Sequence, residues 1–271
     1  MDNVAVIMSV YKNDTLEPFK ISVNSILNQS YKNIDLYIYR DGIVSEKIQN
    51  YLNLLSNEKS IFIVEKEYNN GLAHALNELI DIIIAKNKYI YIARMDADDI
   101  SRNKRIEKQV DYLSKNRDID VCGTSCKEFG ASFALKEKHL PKMHQDLLEF
   151  SITRCPFIHP SVMFRTAIFQ NGIRYPTNTN LTEDMALWFY LLSKGYKFSN
   201  INEILLEYRI NEDTLKRRSG LRKALSETRI RFYYMFKLNK VTLKLTILLF
   251  FRFLFHLLPN FAIKIIYRKM R

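Results

Sequence analysis

Arg94-Met95-Asp96-Ala97-Asp98-Asp99 puts three carboxylates into four residues at the end of the apolar run Tyr89-Ile90-Tyr91-Ile92-Ala93. Such a cluster repels itself unless it shares a cation. An all-oxygen donor set suits a hard divalent ion such as Mg2+ or Mn2+, commonly held between carboxylates and a substrate diphosphate. The competing reading is a turn whose aspartates cap the helix that follows. A second acidic pair, Glu183-Asp184, opens another helical run behind Thr182. There the helix dipole favours carboxylates and Thr182 fits an N-cap, so structure alone also accounts for it. Tyr11 and Asp41 each end an apolar stretch, Asp41 within the turn signal Arg40-Asp41-Gly42, and His159 precedes Pro160 in a loop.

These residues need a scaffold that delivers strand ends to one rim. Runs 4–11, 36–39, 61–64 and 89–95 read as strands. Between them, Leu16, Phe19, Val23 and Ile26, then Ile48, Leu52 and Leu55, then residues 72–85 recur at helical spacing, the last opened by Asn69-Asn70-Gly71. The order β-α-β-α-β-α-β argues for a mainly parallel sheet with helices on both faces, and such sheets bind ligands beyond their carboxyl ends. Further on the pattern is mixed: a helix through Ile106, Val110 and Leu113, short strands near 121–123 and 161–164, a helix near 146–152, and a helix at 185–194 ended by Gly195.

Composition narrows the function classes. With 271 residues and 47% hydrophobic content the chain has a real core. Its net charge of +12 is unevenly placed: residues 214–271 hold 15 Lys/Arg and the single acid Glu227, whereas residues 1–213 hold 26 Lys/Arg against 28 acids. Cys122, Cys126 and Cys155 form no CxxC pair, which argues against a disulfide framework or zinc site. Neither GxGxxG after the first strand nor GxxxxGK[ST] occurs, which sets aside dehydrogenases and P-loop enzymes. The start Met1-Asp2-Asn3 enters a strand at once, without the basic leader of a signal peptide, so a cytoplasmic protein is expected.

Six motifs then occur in order: Ser9-Val10-Tyr11, Arg40-Asp41-Gly42, Asn70-Gly71-Leu72-Ala73-x-Ala75-Leu76-Asn77, the Arg94 to Asp99 cluster, His159-Pro160-Ser161, and Glu183-Asp184-x-x-Leu187-Trp188. Together they resemble the family 2 glycosyltransferases of the GT-A fold, of the bacterial surface-polysaccharide or O-antigen type, over residues 1 to about 213. The resemblance implies a Rossmann-like, mainly parallel sheet flanked by helices and a UDP-sugar donor. By position, Val10 and Tyr11 would pack on the uracil ring, and Asp41 would accept the uracil N–H. Asp96 would contact the ribose, and Asp98 would ligate Mg2+ or Mn2+ against the diphosphate. Asn70, Arg94 and Ala97 would complete the nucleotide-sugar site. Transfer by direct displacement needs a base opposite the leaving diphosphate. Asp184 matches that base, with Glu183 beside it as a second catalytic acid that positions or binds the acceptor, and His159 as an acceptor contact. Inversion follows, giving a β linkage from an α-linked donor. Read as residues, Arg94 serves equally to pair with a donor phosphate or with the acids, and Asp99 as ligand or cap. Asn211 stands where many relatives carry a histidine after the pair matching Tyr208-Arg209.

The tail reads as a separate segment, 214–271, after a catalytic domain spanning 1–213. Lys244, Arg252 and His256 interrupt its apolar stretch, so no charge-free run reaches the roughly 18 residues of a spanning helix. A basic amphipathic helical extension lying on an anionic membrane surface is the expectation. A homodimer interface is the other reading. Nucleic acid is disfavoured by the near-neutral first 213 residues. A membrane-seated donor domain implies a polyprenyl-diphosphate-linked saccharide acceptor, undecaprenyl in bacteria, at the cytoplasmic face of the inner membrane. A lipopolysaccharide-core glycosyltransferase differs only in acceptor. A catalytically silent nucleotide-sugar-binding scaffold is the alternative of another class, and the intact acids argue against it.

Overall fold

The computed structural model describes residues 2–179, 182–214, 220–258, 262, 263 and 266. Strand β1 (Val4–Tyr11) is hydrophobic on both faces because it lies inside the sheet, and alternation divides its side chains between two cores. Val4, Val6, Met8 and Val10 enter one core, Ala5 and Ile7 the other. In β2 (Ile34–Asp41) Leu36 and Ile38 oppose Tyr37 and Tyr39, and in β4 (Tyr91–Asp96) Tyr91, Ala93 and Met95 oppose Ile92. Helices α1 (Leu16–Leu27), α2 (Glu46–Leu55) and α4 (Arg105–Lys115) close the first core through Phe19, Val23, Leu52, Ile106 and Leu113. Helices α3 (Leu72–Ala85) and α7 (Glu183–Ser193) close the second through Leu76, Leu79, Ile83, Leu187 and Trp188.

The remaining strands are β3 (Ile61–Glu65), β5 (Ile100–Ser101), β6 (Val121–Phe129), β7 (Met163–Arg165) and β8 (Phe198–Arg209), and the short helix α6 (Ala167–Gln170) follows β7. The sheet runs β3-β2-β1-β4-β7-β6-β8-β5. Its first four strands are parallel, β7 is antiparallel to β4 and β6, β6 and β8 are parallel, and β5 is antiparallel to β8. Because β2 and β4 flank β1, the progression of the chain reverses there and leaves a crevice at the carboxyl ends. Register completes the rim: Tyr11 faces Asp41 and Ser9 faces Asp96.

The expected elements to residue 115 form as read, and the helix over 146–152 and the one closed by Gly195 are present. Gly195 takes φ +84°, the left-handed position for which it was read. Strand β8 was not foreseen. Its pairing with β6 slips around Ser125, and a bulge of that kind breaks the alternation that marks a strand.

Two helices follow, α8 (Leu221–Lys237) and α9 (Leu243–Leu257). They pack on α7 and on α5 (His144–Thr153), where Met235 and Leu245 meet Ile152, Met185 and Phe189. Phe189 and Tyr234 stack with centroids 5.0 Å apart. Helix α7 is therefore buried on its sheet side and on its outer side. None of the described helices is long and apolar enough to cross a membrane.

Candidate active site

Strand β4 ends at Asp96, and the chain turns through Ala97, Asp98 and Asp99 into β5. The turn is tied down from both sides. Ser22 of α1 donates to the Asp96 carbonyl at 2.7 Å, while Ser25 and Gln29 hold Ser101. From β8, the Arg209 amide donates to Asp99 Oδ1 at 2.7 Å and its Nε to the Asp98 carbonyl at 2.8 Å. Ala97 is buried in the first core. Helix α4 begins only at Arg105, with Lys104 at its N-cap, so neither Asp98 nor Asp99 caps it.

Carboxylate oxygens of Asp96, Asp98 and Asp99 lie within 4.8 Å of one another. Burial, reinforced by Asp96, pushes the Asp98 carboxyl up to about 6 and Asp99 well above its usual range. Asp99 Oδ2 is buried without a hydrogen-bond partner. An orphaned carboxylate oxygen beside two further acids fits a hard divalent cation, which would replace the missing donor and relieve the mutual repulsion. Asp14, to which no motif assigns a site role, accepts from the Tyr11 amide at 2.9 Å; burial pushes it up to about 7, with Asp98 and Asp96 adding to the rise.

The other rim residues sort by exposure. Val10 is fully buried in the first core, while Tyr11 is half-buried at the strand end. Asp41 is buried, and its two carboxylate oxygens accept from the amides of Asn70 at 2.8 Å and Gly71 at 3.0 Å. This pins the start of α3 to the end of β2 and leaves the Asn70 side chain exposed. Gly42 is required there: it sits at φ +86°, and a Cβ would stand 2.9 Å from the Asn69 amide.

Arg94 is 1% exposed, ion-pairs with Asp96, and has no hydrogen-bond partner on Nε. Its carbonyl is held by Arg105, which also grips the Pro160 carbonyl at 2.8 Å. Next to it stands His159, whose Nε2 is 3.0 Å from the Tyr175 hydroxyl. Burial, with Arg94 adding, pushes His159 well below its usual value, so the ring is neutral. Tyr175 lies within electrostatic reach of Arg94, Asp184, Glu183 and Asp96. Its backbone is clamped by Asn77 of α3, which donates to its carbonyl and accepts from its amide, both at 2.8 Å. No motif marks Tyr175; only the aromatic character of residue 175 ahead of Glu183-Asp184 hints at it.

Glu183 and Asp184 occupy the first turn of α7, as read. Thr182 takes the N-cap position but makes no side-chain cap bond. Asp184 Oδ1 accepts from the Met185 amide at 2.7 Å and Oδ2 from the Cys155 thiol at 3.7 Å. Burial, with Asp184 adding, raises Glu183 above the usual carboxylate range. Asn211 follows β8, where its side-chain oxygen and its amide both pair with Thr214 Oγ1 at 2.9 Å.

The sheet order, its switch point and the acid rim define an α/β protein of the GT-A type. The Glycosyl transferase family 2 profile matches residues 5–172, and the chain belongs to that family. The UDP-Gal:alpha-D-GlcNAc-diphosphoundecaprenol beta-1,3-galactosyltransferase of Escherichia coli is 29% identical over 272 residues, spanning 98% of this chain and 95% of its own length. The O-antigen biosynthesis glycosyltransferase WbnJ of Escherichia coli is 32% identical over 224 residues, 80% of this chain and 83% of its own. Among solved structures, Staphylococcus aureus TarS 1-349 in complex with UDP-GlcNAc superimposes with a TM-score of 0.62 at 14% identity, over 92% of this chain and 79% of its own. The mannosyltransferase PcManGT of Pyrobaculum calidifontis, in complex with GDP-Man and Mn2+, gives 0.61 at 13% identity, over 98% and 84%.

Proposed function

We propose that this glycosyltransferase is an inverting enzyme that moves a hexose or N-acetylhexosamine from a UDP-sugar to a saccharide on an undecaprenyl-diphosphate carrier, in O-antigen or capsule synthesis. The observation that carries this reading is the near full-length likeness to a relative named for a UDP-Gal donor and an α-GlcNAc-diphosphoundecaprenol acceptor. The site supports it, because acids at the end of β4 and acids at the start of α7 both lie within electrostatic reach of Tyr175.

In this reading Tyr11, Asp41, Asn70 and Ala97 border the uridine, Asp96 the ribose, and Arg94 supplies positive charge behind Asp96 to the donor side. Asp98 and Asp99 would hold Mg2+ or Mn2+, which neutralises the leaving diphosphate. Asp184 takes the proton of the acceptor hydroxyl as that oxygen attacks the anomeric carbon from the face opposite the diphosphate, giving a β linkage. Glu183 borders the acceptor, while His159 acts through Tyr175. Residues 214–271 seat the catalytic domain, residues 1–213, on the cytoplasmic face of the inner membrane.

The test is transfer from a panel of UDP-sugars to a synthetic lipid-diphosphate GlcNAc, with the anomeric coupling of the product read by NMR. A β product is expected from one donor. Asp184→Asn is expected to lose about 10²–10⁴-fold in kcat, the usual worth of a general base, with UDP affinity retained. Failure of every donor, or an α product, would overturn the reading.

A further inference from the structure

Glu227 of α8 is 4% exposed and is met by three basic side chains. Arg231 Nε lies 2.8 Å from its Oε1, Arg252 of α9 reaches the same oxygen, and His256 Nε2 is 3.2 Å from Oε2. Burial alone would raise the Glu227 carboxyl; Arg231 and Arg252 override it and hold it well below the usual range. A solvent-facing appendage has no need of such a cage, since burying charges is costly unless each is satisfied in place.

Arg231, 1% exposed, carries the cage into the catalytic domain: its Nη1 donates to the carbonyls of Ser151 at 2.6 Å and Ile152 at 3.1 Å. These are last-turn carbonyls of α5, where the helix dipole favours a cation. From that anchor two supports reach Asp184. Ile152 packs in one cluster with Met185, whose amide donates to Asp184 Oδ1, and three residues beyond Ile152 the Cys155 thiol donates to Oδ2.

We propose that Arg231, fixed by Glu227, is a positioning residue for glycosyl transfer: it holds the end of α5 and the segment through Cys155 so that Asp184 is presented to the acceptor hydroxyl. The proposal rests on the reading of Asp184 as the base. The donor half of the site is built from other elements, the ends of β1, β2, β4 and β8, so the effect belongs to turnover and not to nucleotide binding.

Steady-state kinetics of the full chain, paired with calorimetric UDP binding in Mn2+, test it. Arg231→Gln is expected to lower kcat by roughly 10–100-fold, the scale of a small misplacement of a reacting group, while donor KM and UDP affinity stay within about twofold. Arg231→Lys keeps the charge but not the planar fork, and is expected to recover part of the loss. Unchanged kcat in Arg231→Gln overturns the proposal. So does a fall in kcat matched by an equal fall in UDP-binding stoichiometry, which marks a lost folded fraction. Where Arg231→Gln does not fold, Cys155→Ala takes its place: lower kcat at unchanged UDP affinity supports the proposal, and unchanged kcat overturns it. Asp184→Asn is measured alongside. An active Asp184→Asn enzyme overturns the base reading and the proposal together; an inactive one beside a fully active Arg231→Gln overturns the proposal alone.

Discussion

Arg209 grips the acid turn twice, through its amide on Asp99 and its Nε on the Asp98 carbonyl, from a position 110 residues away. Its ring neighbour Phe129, 4.4 Å from the guanidinium, keeps the side chain laid over the turn. Arg209→Met should therefore loosen the turn without touching a carboxylate. UDP-sugar affinity in Mn2+ is expected to fall roughly tenfold, since a hydrogen bond involving a charged group is worth about 1.5–3 kcal/mol and 1.4 kcal/mol is tenfold. Unchanged calorimetric affinity would show that the Arg209 side chain contributes nothing to donor binding. The Asp96 cluster and Glu183-Asp184 were legible because their meaning is local: acids at a strand end and acids in a helix's first turn. The roles of Arg209 and Tyr175 were not, because each comes from a contact with a distant segment; Tyr208-Arg209 marked only the place of Asn211, and Tyr175 sits in no marked pattern. Asp14 sits in no motif; only the fold brings it toward Asp96 and Asp98.

Helix α3 does more than cover the sheet, since Asn77 supplies both halves of a backbone-like pairing to Tyr175 across 98 residues of sequence. Through Tyr175 and His159 that pairing reaches Trp188 of α7, whose ring meets His159 edge-on at 5.9 Å. Asn77→Ala leaves a buried amide and carbonyl unpaired and is expected to cost about 1–3 kcal/mol of stability by urea unfolding. An unfolding midpoint equal to wild type would mean that water or a neighbour takes over the pairing. At this scale periodicity served well for α1 to α4, each with one apolar stripe on one core. Helix α7 is legible from its Thr182-Glu183-Asp184 start and its Gly195 stop and not from a stripe, because a helix buried on two sides shows no single one. The hidden second partner is the hairpin of α8 and α9, which composition presented as a surface tail.

For the molecule as a whole, charge and apolar exposure coincide. Phe232, Phe236, Phe250 and Phe251 are exposed on α8 and α9, with Arg229, Lys237 and Lys244 among them, on the segment that carries the entire positive excess. The full chain is expected to sediment with vesicles containing anionic lipid and not with zwitterionic ones, and to be released as salt shortens the range of attraction. Phe232→Ser with Phe236→Ser should weaken the binding that remains at high salt. Equal binding to both vesicle types would remove charge from the account. The two-sided burial of α7 also bears on synthesis. Met185 and Phe189 emerge from the ribosome well before Met235 and Leu245, their partners in the outer core. Until α8 and α9 are out, the helix that carries Asp184 has an open apolar flank. With Asp184 as the proposed base, catalytic competence waits for α8 and α9, and a product stopped before them is expected to bind nucleotide yet be recognised by chaperones as unfinished.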